Sequence, residues 1–415
     1  MSESVVIWII SLLSIAGVIL RPFKITEAVW AVTGAALLVM LQLISLADAC
    51  AGMCKGTDVY LFLFGMMLLA EVAREERLFD WLAAKAVLLA RGSAKRLFTL
   101  TYLVGIVVTV FLSNDATAVV LTPAVAAAVR AAKVSRPMPY LLICAFIANA
   151  ASFVLPISNP ANLVIYDGSL PSLLHWLTRY GAASVLSIGL TYVLLFRTQR
   201  RELETPLEET IAMPELTSTG RSAAWGIAIT AVVLLASSAW NIPLGLPTAI
   251  TGVLTSGFVL FKARKTPLAI IKGISWAVLP LVAGLFIIVE ALNRTGLIRV
   301  LAQLLQHAAV RNVAGATWGS GVGIALISNL MNNLPSGLIA ADAIQAAHVP
   351  EVVRSAVLIG VDLGPNLSVT GSLATILWLV ALRREGQTVS ARAFLKLGVM
   401  IMVPALLAAI AVLWI

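Results

Sequence analysis

The segment Leu112-Ser-Asn-Asp-Ala-Thr117 places an amide and a carboxylate inside a long apolar run, and Leu330-Met-Asn-Asn-Leu-Pro335 repeats the placement about 218 residues later. A strongly polar or ionisable group at membrane depth costs several kcal/mol, about 3 on insertion scales, unless it is solvated or paired. Such groups at matching places in two halves predict one central polar site built by two repeats, the pattern of a secondary transporter. A second pair of polar clusters follows each segment. Asn149 precedes Pro156-Ile-Ser-Asn-Pro160-Ala-Asn162, and the later half answers with Asp362-Leu-Gly-Pro365-Asn366 and Thr370-Gly-Ser372-Leu-Ala-Thr375. Prolines here remove backbone donors, and asparagines supply side-chain partners. Unwound backbone at this depth is tolerated only where it is buried in protein or lines a cavity.

The expected solute site therefore comprises Asn114, Asp115, Asn149, Asn159, Asn162, Asn332, Asn333, Asn366, Ser372 and Thr375. Burial penalises the charged form of a carboxylate, so Asp115 and Asp362 are the expected proton carriers; either can instead cap a half-helix or bond hairpin amides. The set contains no Arg, Lys or His. Two carboxylates without a basic partner would repel a dicarboxylate in a low dielectric. A neutral hydroxyl-rich solute, which donates and accepts at each hydroxyl, suits amides and carboxylates better, and a metal cation is not excluded. Half-helix ends at the breaks add partial charges to the pocket.

The elements that must position these groups are transmembrane helices. The chain has 415 residues, is 60% hydrophobic and 12% charged, and has a mean hydropathy of +0.98; a soluble domain carries about 25% charged residues. Runs such as 5–20, 28–46, 172–196, 223–240 and 394–414 are long enough for a ~30 Å hydrocarbon core. The first run lacks a basic start and a convincing cleavage site and reads as a retained helix. The net charge of +9 reads as basic loops holding one face in the cytoplasm, not as nucleic-acid binding. Cys50, Cys54 and Cys144 form no disulfide or metal framework: the first two fall in a short loop and the third far along the chain. No metal and no cofactor are expected.

Gly65 to Glu71, followed by Leu78 and Leu82, recurs as Gly284 to Glu290, followed by Leu297 and Leu301, at an offset of 219. The halves are 1–197 and 222–415, joined by a polar cytoplasmic linker over 198–221. Corresponding loops differ in charge: Lys262, Arg264, Lys265 and Lys272 lie where the first half has only Lys55. The repeats are therefore inverted. Charge placement also favours re-entrant hairpins over 97–131 and 313–348, with broken helices over 139–167 and 353–382. The fold class is an all-α polytopic membrane protein with two inverted-topology repeats, about ten spanning helices (two of them broken) and two hairpins. Segments 74–89 and 293–306 read as interfacial helices, and both termini as periplasmic. Glu71 and Glu290, a symmetric acidic pair near helix ends, are assigned structural roles. Trp30, Tyr60, Trp81, Tyr166 and Trp176 fit an aromatic belt.

The pattern resembles the ion-transporter superfamily, and within it the arsenite/antimonite efflux permeases. The likeness rests on Leu112 to Pro123, Ile157 to Leu163, Ser328 to Ser336 and Asp362 to Ser372, and extends over nearly the whole chain. The Asn-Asp-Ala-Thr segment is shared with sodium/proton antiporters and dicarboxylate carriers; the Asn-Asn-Leu-Pro and Asp-Leu-Gly-Pro-Asn segments together look most like the arsenite group. The resemblance implies a scaffold domain and a moving transport domain, homodimers, and export of arsenite and antimonite across the inner membrane in exchange for protons by alternating access. It implies in some relatives a separate soluble ATPase subunit. A sodium/proton antiporter or a sodium-coupled dicarboxylate carrier of the same superfamily is the alternative. An intramembrane enzyme is not expected, since the chain has no His-Glu-x-x-His, G-x-S-x-G or phosphate-loop motif.

Overall fold

Apolar runs punctuated by Ser, Thr and Asn caps fold as helices throughout the computed structural model, which describes residues 2–166, 170–204, 214–240 and 242–414. The first half holds α1 (Glu3–Leu20), α2 (Glu27–Met40), α3 (Leu46–Lys55), α4 (Thr57–Glu75), α5 (Leu78–Ala90), α6 (Ala94–Phe111), the single turn α7 (Asn114–Ala116), α8 (Thr122–Ala131), α9 (Met138–Ala150), α10 (Pro160–Tyr166) and α11 (Leu173–Gln199). The second holds α12 (Ser218–Ala239), α13 (Gly245–Ala263), α14 (Leu268–Gly273), α15 (Val278–Arg294), α16 (Leu297–Arg311), α17 (Val313–Met331), α18 (Asn333–Ala347), α19 (Glu351–Leu363), α20 (Leu373–Arg384) and α21 (Ala391–Ala411). Among the described residues seven helices are long and apolar enough to span a membrane on their own, and joining the bent pairs α3–α4 (51°) and α15–α16 (74°) makes nine. Both counts differ from the ten spans expected because they include the hairpin arms α6 and α17 and leave out the short α2 and the interrupted pairs α9–α10 and α19–α20. Residues 205–213 of the expected linker, and residue 167 at the end of the first broken helix, lie outside the described residues.

The halves interlock. α4 packs on α13 and α15 on α2, so each half's third long helix crosses the other half's second. Glycine makes both crossings possible. A Cβ at Gly65 would lie 2.2 Å from the Thr248 carbonyl oxygen, and one at Gly284, 219 positions on, 2.8 Å from the Ala31 carbonyl carbon. Without a hydrophobic drive between helices in lipid, such close backbone approach is what holds a crossing together.

Segment 48–58, read from the sequence as a loop carrying Cys50 and Cys54, falls instead in helix α3 and the start of α4, because Ser45 caps α3 (Asp48 N to Ser45 Oγ, 3.1 Å) and alanines fill its first turns. Both cysteines are exposed on it, and Cys144 is buried. The two segments read as interfacial are also more deeply used than expected. α5 packs on α6 and α8, and α16 on α17 and α18, so each braces a hairpin. Phe79, Ala83 and Val87 of α5 are fully enclosed, whereas α16 keeps one exposed face.

The chain reverses at Leu112–Ser113 between α6 and α7, and at Asn332 between α17 and α18. Each tip is closed by a hydroxyl pair: Thr109 to Thr117 at 2.8 Å and Ser328 to Ser336 at 2.9 Å. Both members of the second pair sit 219 positions after those of the first. Ser113 caps the first returning arm (Ala116 N to Oγ, 3.2 Å) and Asn332 the second (Leu334 N to Oδ1, 3.4 Å). Asn332 does so at φ 74°, ψ 151°, a conformation rare for a residue with a Cβ.

Candidate functional site

Four elements begin at one place. The returning arms start at Asn114 and Asn333, and the second pieces of the broken helices at Pro160 and Leu373. Pro160 is suited to a helix start, where its missing N–H costs nothing. Asn159 caps α10 (Ala161 N to Oδ1, 3.1 Å) and Ser372 caps α20 (Thr375 N to Oγ, 3.1 Å). The ends are exchanged between halves: α10 lies against α18, and α20 against the first returning arm at 117–121. A backbone bond from Asn333 N to Gly371 O (2.9 Å) ties the second tip to the second break.

Between these starts lies a small cavity of about 20 Å³, lined by Asn114, Asp115, Asn159 and Asn333 among Leu63, Pro160, Val278, Val282, Leu334, Leu373 and Ala374. Its walls are largely symmetric pairs: Leu63 with Val282, Asn114 with Asn333 and Asp115 with Leu334, each 219 apart. The cavity thus straddles the relation between the halves. Within these three pairs the chemical inequality is Asp115, a carboxylate whose counterpart is Leu334. Helix starts carry partial positive charge, so four of them surround that single carboxylate.

The remaining expected site residues stand behind the cavity and hold its walls. Asn149 donates to Asn366 Oδ1 (3.0 Å) and to Thr375 Oγ1 (3.2 Å), and Asn366 donates to the Phe146 carbonyl (2.9 Å). Ser372 and Thr375 hydroxyls meet at 2.9 Å. Asn162 donates to the carbonyls of Ser152 (2.9 Å) and Leu155 (3.3 Å), which the break in the helix leaves free. Asp362 is fully buried, with Oδ1 accepting from Asn159 Nδ2 at 2.7 Å, while Oδ2 is enclosed and unpartnered. Ser152, its neighbour, turns its hydroxyl to the Asn149 carbonyl instead (2.8 Å). Asp362 is therefore one residue removed from the cavity, reached through Asn159, whereas Asp115 lines it directly.

Sequence reasoning passed over two groups. Asn329, in the same Ser328 to Ser336 segment, accepts from Ser368 (2.7 Å), donates to Gly364 O (3.0 Å) and accepts at its carbonyl from Thr370 (3.1 Å), stitching the second tip's arm to the second break. Leu63 and Val282 were within reach of the 219 offset, but apolar residues in an apolar run carry no signal of their own.

A second cavity of about 70 Å³ continues from the central one, sharing Leu63, Asp115, Pro160 and Val278 and adding Glu71, Ser113, Gly273 and Ser275. It lies toward the linker face, where Glu76 meets Lys265 (2.8 Å) and Arg136 meets Glu202 (2.6 Å). A third, of about 230 Å³, lies at the other end of α4 and is lined by Lys55, Asp58, Glu290, Asp342 and Gln345. α4 begins at this third cavity and ends at the second; α15 begins at the second and ends at the third. The two matched helices thus run in opposite directions.

This architecture has counterparts. The family model described as CitMHS, citrate transporter, matches residues 5–359. The chain belongs to that family. It is 28% identical over 361 residues to the arsenical pump membrane protein of Yersinia enterocolitica, and 29% identical over 369 residues to that of Escherichia coli K12, in each case covering 84% of both chains. In fold it is similar to the YdaH transporter of Alcanivorax borkumensis (TM-score 0.59, 15% identity, 89% of each chain). It is also similar to MtrF of Neisseria gonorrhoeae (TM-score 0.54, 14% identity, 89% of this chain and 83% of that one). The protein is an integral membrane transporter.

Proposed function

We propose that this transporter exports trivalent metalloid hydroxides, arsenite and antimonite, across the inner membrane in exchange for protons, by alternating access to the central cavity. The observation that carries this is the lining of that cavity: three amides, one carboxylate and no Arg, Lys or His among the described residues. A neutral As(OH)3 or Sb(OH)3 offers hydroxyls that donate to Asp115 and the amide oxygens and accept from amide N–H groups. Asp115 either holds the solute or holds a proton, so that loading of one releases the other. Asp362 acts behind it through Asn159. The arsenical pumps to which the chain is similar support the solute class.

The four helix starts favour a second reading, because partial positive charge also suits an anionic carboxylate solute, in line with the family's name. Asp115 already occupies that field, which weighs for the neutral solute. In this reading the halves 1–197 and 222–415 are inverted repeats, the linker face is cytoplasmic with both termini periplasmic, and the hairpins with their broken helices form the moving domain. The proton gradient alone powers the cycle; nucleotide-dependent transport would bring in a separate ATPase subunit.

The test is solute uptake by everted vesicles with and without an imposed inside-acid gradient. Arsenite uptake that follows the gradient, collapses with an uncoupler and is lost in Asp115→Asn is the expected result. Citrate uptake without arsenite movement would establish the anion reading. Dissipation of the gradient by sodium without arsenite movement would make the protein a cation/proton antiporter.

A further inference from the structure

The cavities are unequally connected to the centre. The linker-face cavity shares four wall residues with the central one, whereas the opposite cavity shares none. One helical turn of four elements separates the opposite cavity from the central one: Val59 from Leu63 on α4, Leu163 and Val164 from Pro160 on α10, Phe286 from Val282 on α15, and Leu338 from Leu334 on α18. This apolar layer closes the opposite face, and opening it requires α10 to part from α4 and α18 from α15.

At the rim of that layer stands one lysine. Lys55, the last residue of α3, places Nζ 2.8 Å from Glu290 Oε2 of α15. Gly52, one turn earlier, lets α3 approach so closely that a Cβ there would be 2.9 Å from Glu290 Cβ. Asp342 of α18 lines the same cavity as both, and Lys55, Asp342 and Gln345 also line the adjoining cavity of about 510 Å³. Asp58, the other carboxylate here, accepts from Gly245 N at 2.7 Å and so belongs to the α4–α13 crossing. The matching glutamate at the open face is held differently. Glu71 pairs with Arg74 of its own helix (Nε to Oε2, 2.9 Å), a bond that spans no boundary.

We propose that Lys55, paired with Glu290 of α15 and lining two cavities in common with Asp342 of α18, is the latch that keeps the central site closed to the face opposite the linker. The Lys55–Glu290 pair joins the two halves where the route is shut. At the linker face Glu71 forms its ion pair with Arg74 of its own helix, and the pair that joins the halves there, Glu76 with Lys265, stands outside the walls of the central and linker-face cavities. This rests on the central cavity being the solute site of the proposed function, but it is read without any solute.

The experiment places a reporter cysteine at Ala374, in the central cavity, in a chain carrying Cys50→Ser, Cys54→Ser and Cys144→Ala. Glu215→Cys in a parallel chain marks the linker face. A membrane-impermeant maleimide is applied to either face of sealed vesicles. The parent chain is expected to label from the linker face and to resist from the other. Lys55→Gln and Asp342→Asn should each raise opposite-face labelling about threefold to fivefold, the shift that loss of one partly exposed ion pair gives a two-state equilibrium. Lys55→Glu with Asp342→Lys should restore the parent rate. Parent-like opposite-face labelling of both single variants, with linker-face labelling intact, overturns the proposal. So does failure of the exchanged pair to restore closure. If Lys55→Gln labels from neither face and has not folded, Asp342→Asn decides alone. Vesicles that move no arsenite yet show these labelling changes would sink the solute assignment and leave the latch standing.

Discussion

Asn159 and Asp362 connect the first broken helix to the second in the interior of the molecule, and the strength of their bond reveals the state of the carboxyl. Truncating Asn159 to Ala leaves Asp362 with neither oxygen satisfied, since Oδ2 already has no partner. Truncating Asp362 to Ala leaves the Asn159 amide without its acceptor. Each costs about 1–3 kcal/mol as an orphaned buried group. Neutral interhelical hydrogen bonds in a membrane protein couple by about 0.6 kcal/mol on average, whereas bonds to an ionised group are roughly twice as strong or more, about 1.5–3 kcal/mol. A double-mutant cycle of Asn159→Ala, Asp362→Ala and the pair, measured by detergent-titrated unfolding, therefore separates two cases. Coupling of about 1.5 kcal/mol or more marks an ionised Asp362 held by Asn159. Coupling near 0.6 kcal/mol marks a protonated one, and should rise as the pH of the titration is raised. Coupling below about 0.3 kcal/mol at every pH would refute the claim that this bond joins the breaks.

Gly65→Ala should destabilise by about 1–3 kcal/mol through overpacking against the Thr248 carbonyl, whereas Gly257→Ala, which meets nothing within 4 Å, should shift unfolding by less than about 0.5 kcal/mol. Gly371→Ala places a Cβ 2.5 Å from Pro365 Cα, so it should displace the second tip and weaken solute binding without changing expression; isothermal titration with arsenite measures this. Thr109→Val and Ser328→Ala each remove one tip hydroxyl pair and should cost about 1 kcal/mol apiece. Because the two sites are separate, their combination should be close to additive in the same unfolding assay.

The polar segments were legible because polarity inside an apolar run is expensive and therefore informative. The turns at Leu112–Ser113 and Asn332, and the breaks after Asn149 and Asp362, lie where Asn, Pro and Gly interrupt the hydrophobic pattern. What the pattern does not show is which amide lines the cavity and which braces its wall. Asn149 and Asn366 look like binding residues by type, yet they bond each other across the halves. That distinction depends on one helical rotation, which an apolar surround leaves unmarked. The tip register illustrates the same limit. Aligning the asparagine pairs sets Asp115 against Asn333, but the caps at Ser113 and Asn332 set it against Leu334. The loop read over 48–58 is helical for another reason: the run is too short for its periodicity to stand out in sequence, and its helix rests on the Ser45 cap and on packing against α15.

The exchanged crossings have a consequence for how the chain is made. α2 leaves the ribosome more than two hundred residues before α15, the helix whose glycine it must meet, and contacts so distant in sequence are slow to form. For most of synthesis the first half is inserted with its partner face turned to lipid or to a helper protein. The finished first half is thus a template on which the helices of the second close their crossings. A chain severed in the linker should accordingly assemble from separately expressed halves, and neither half should accumulate alone.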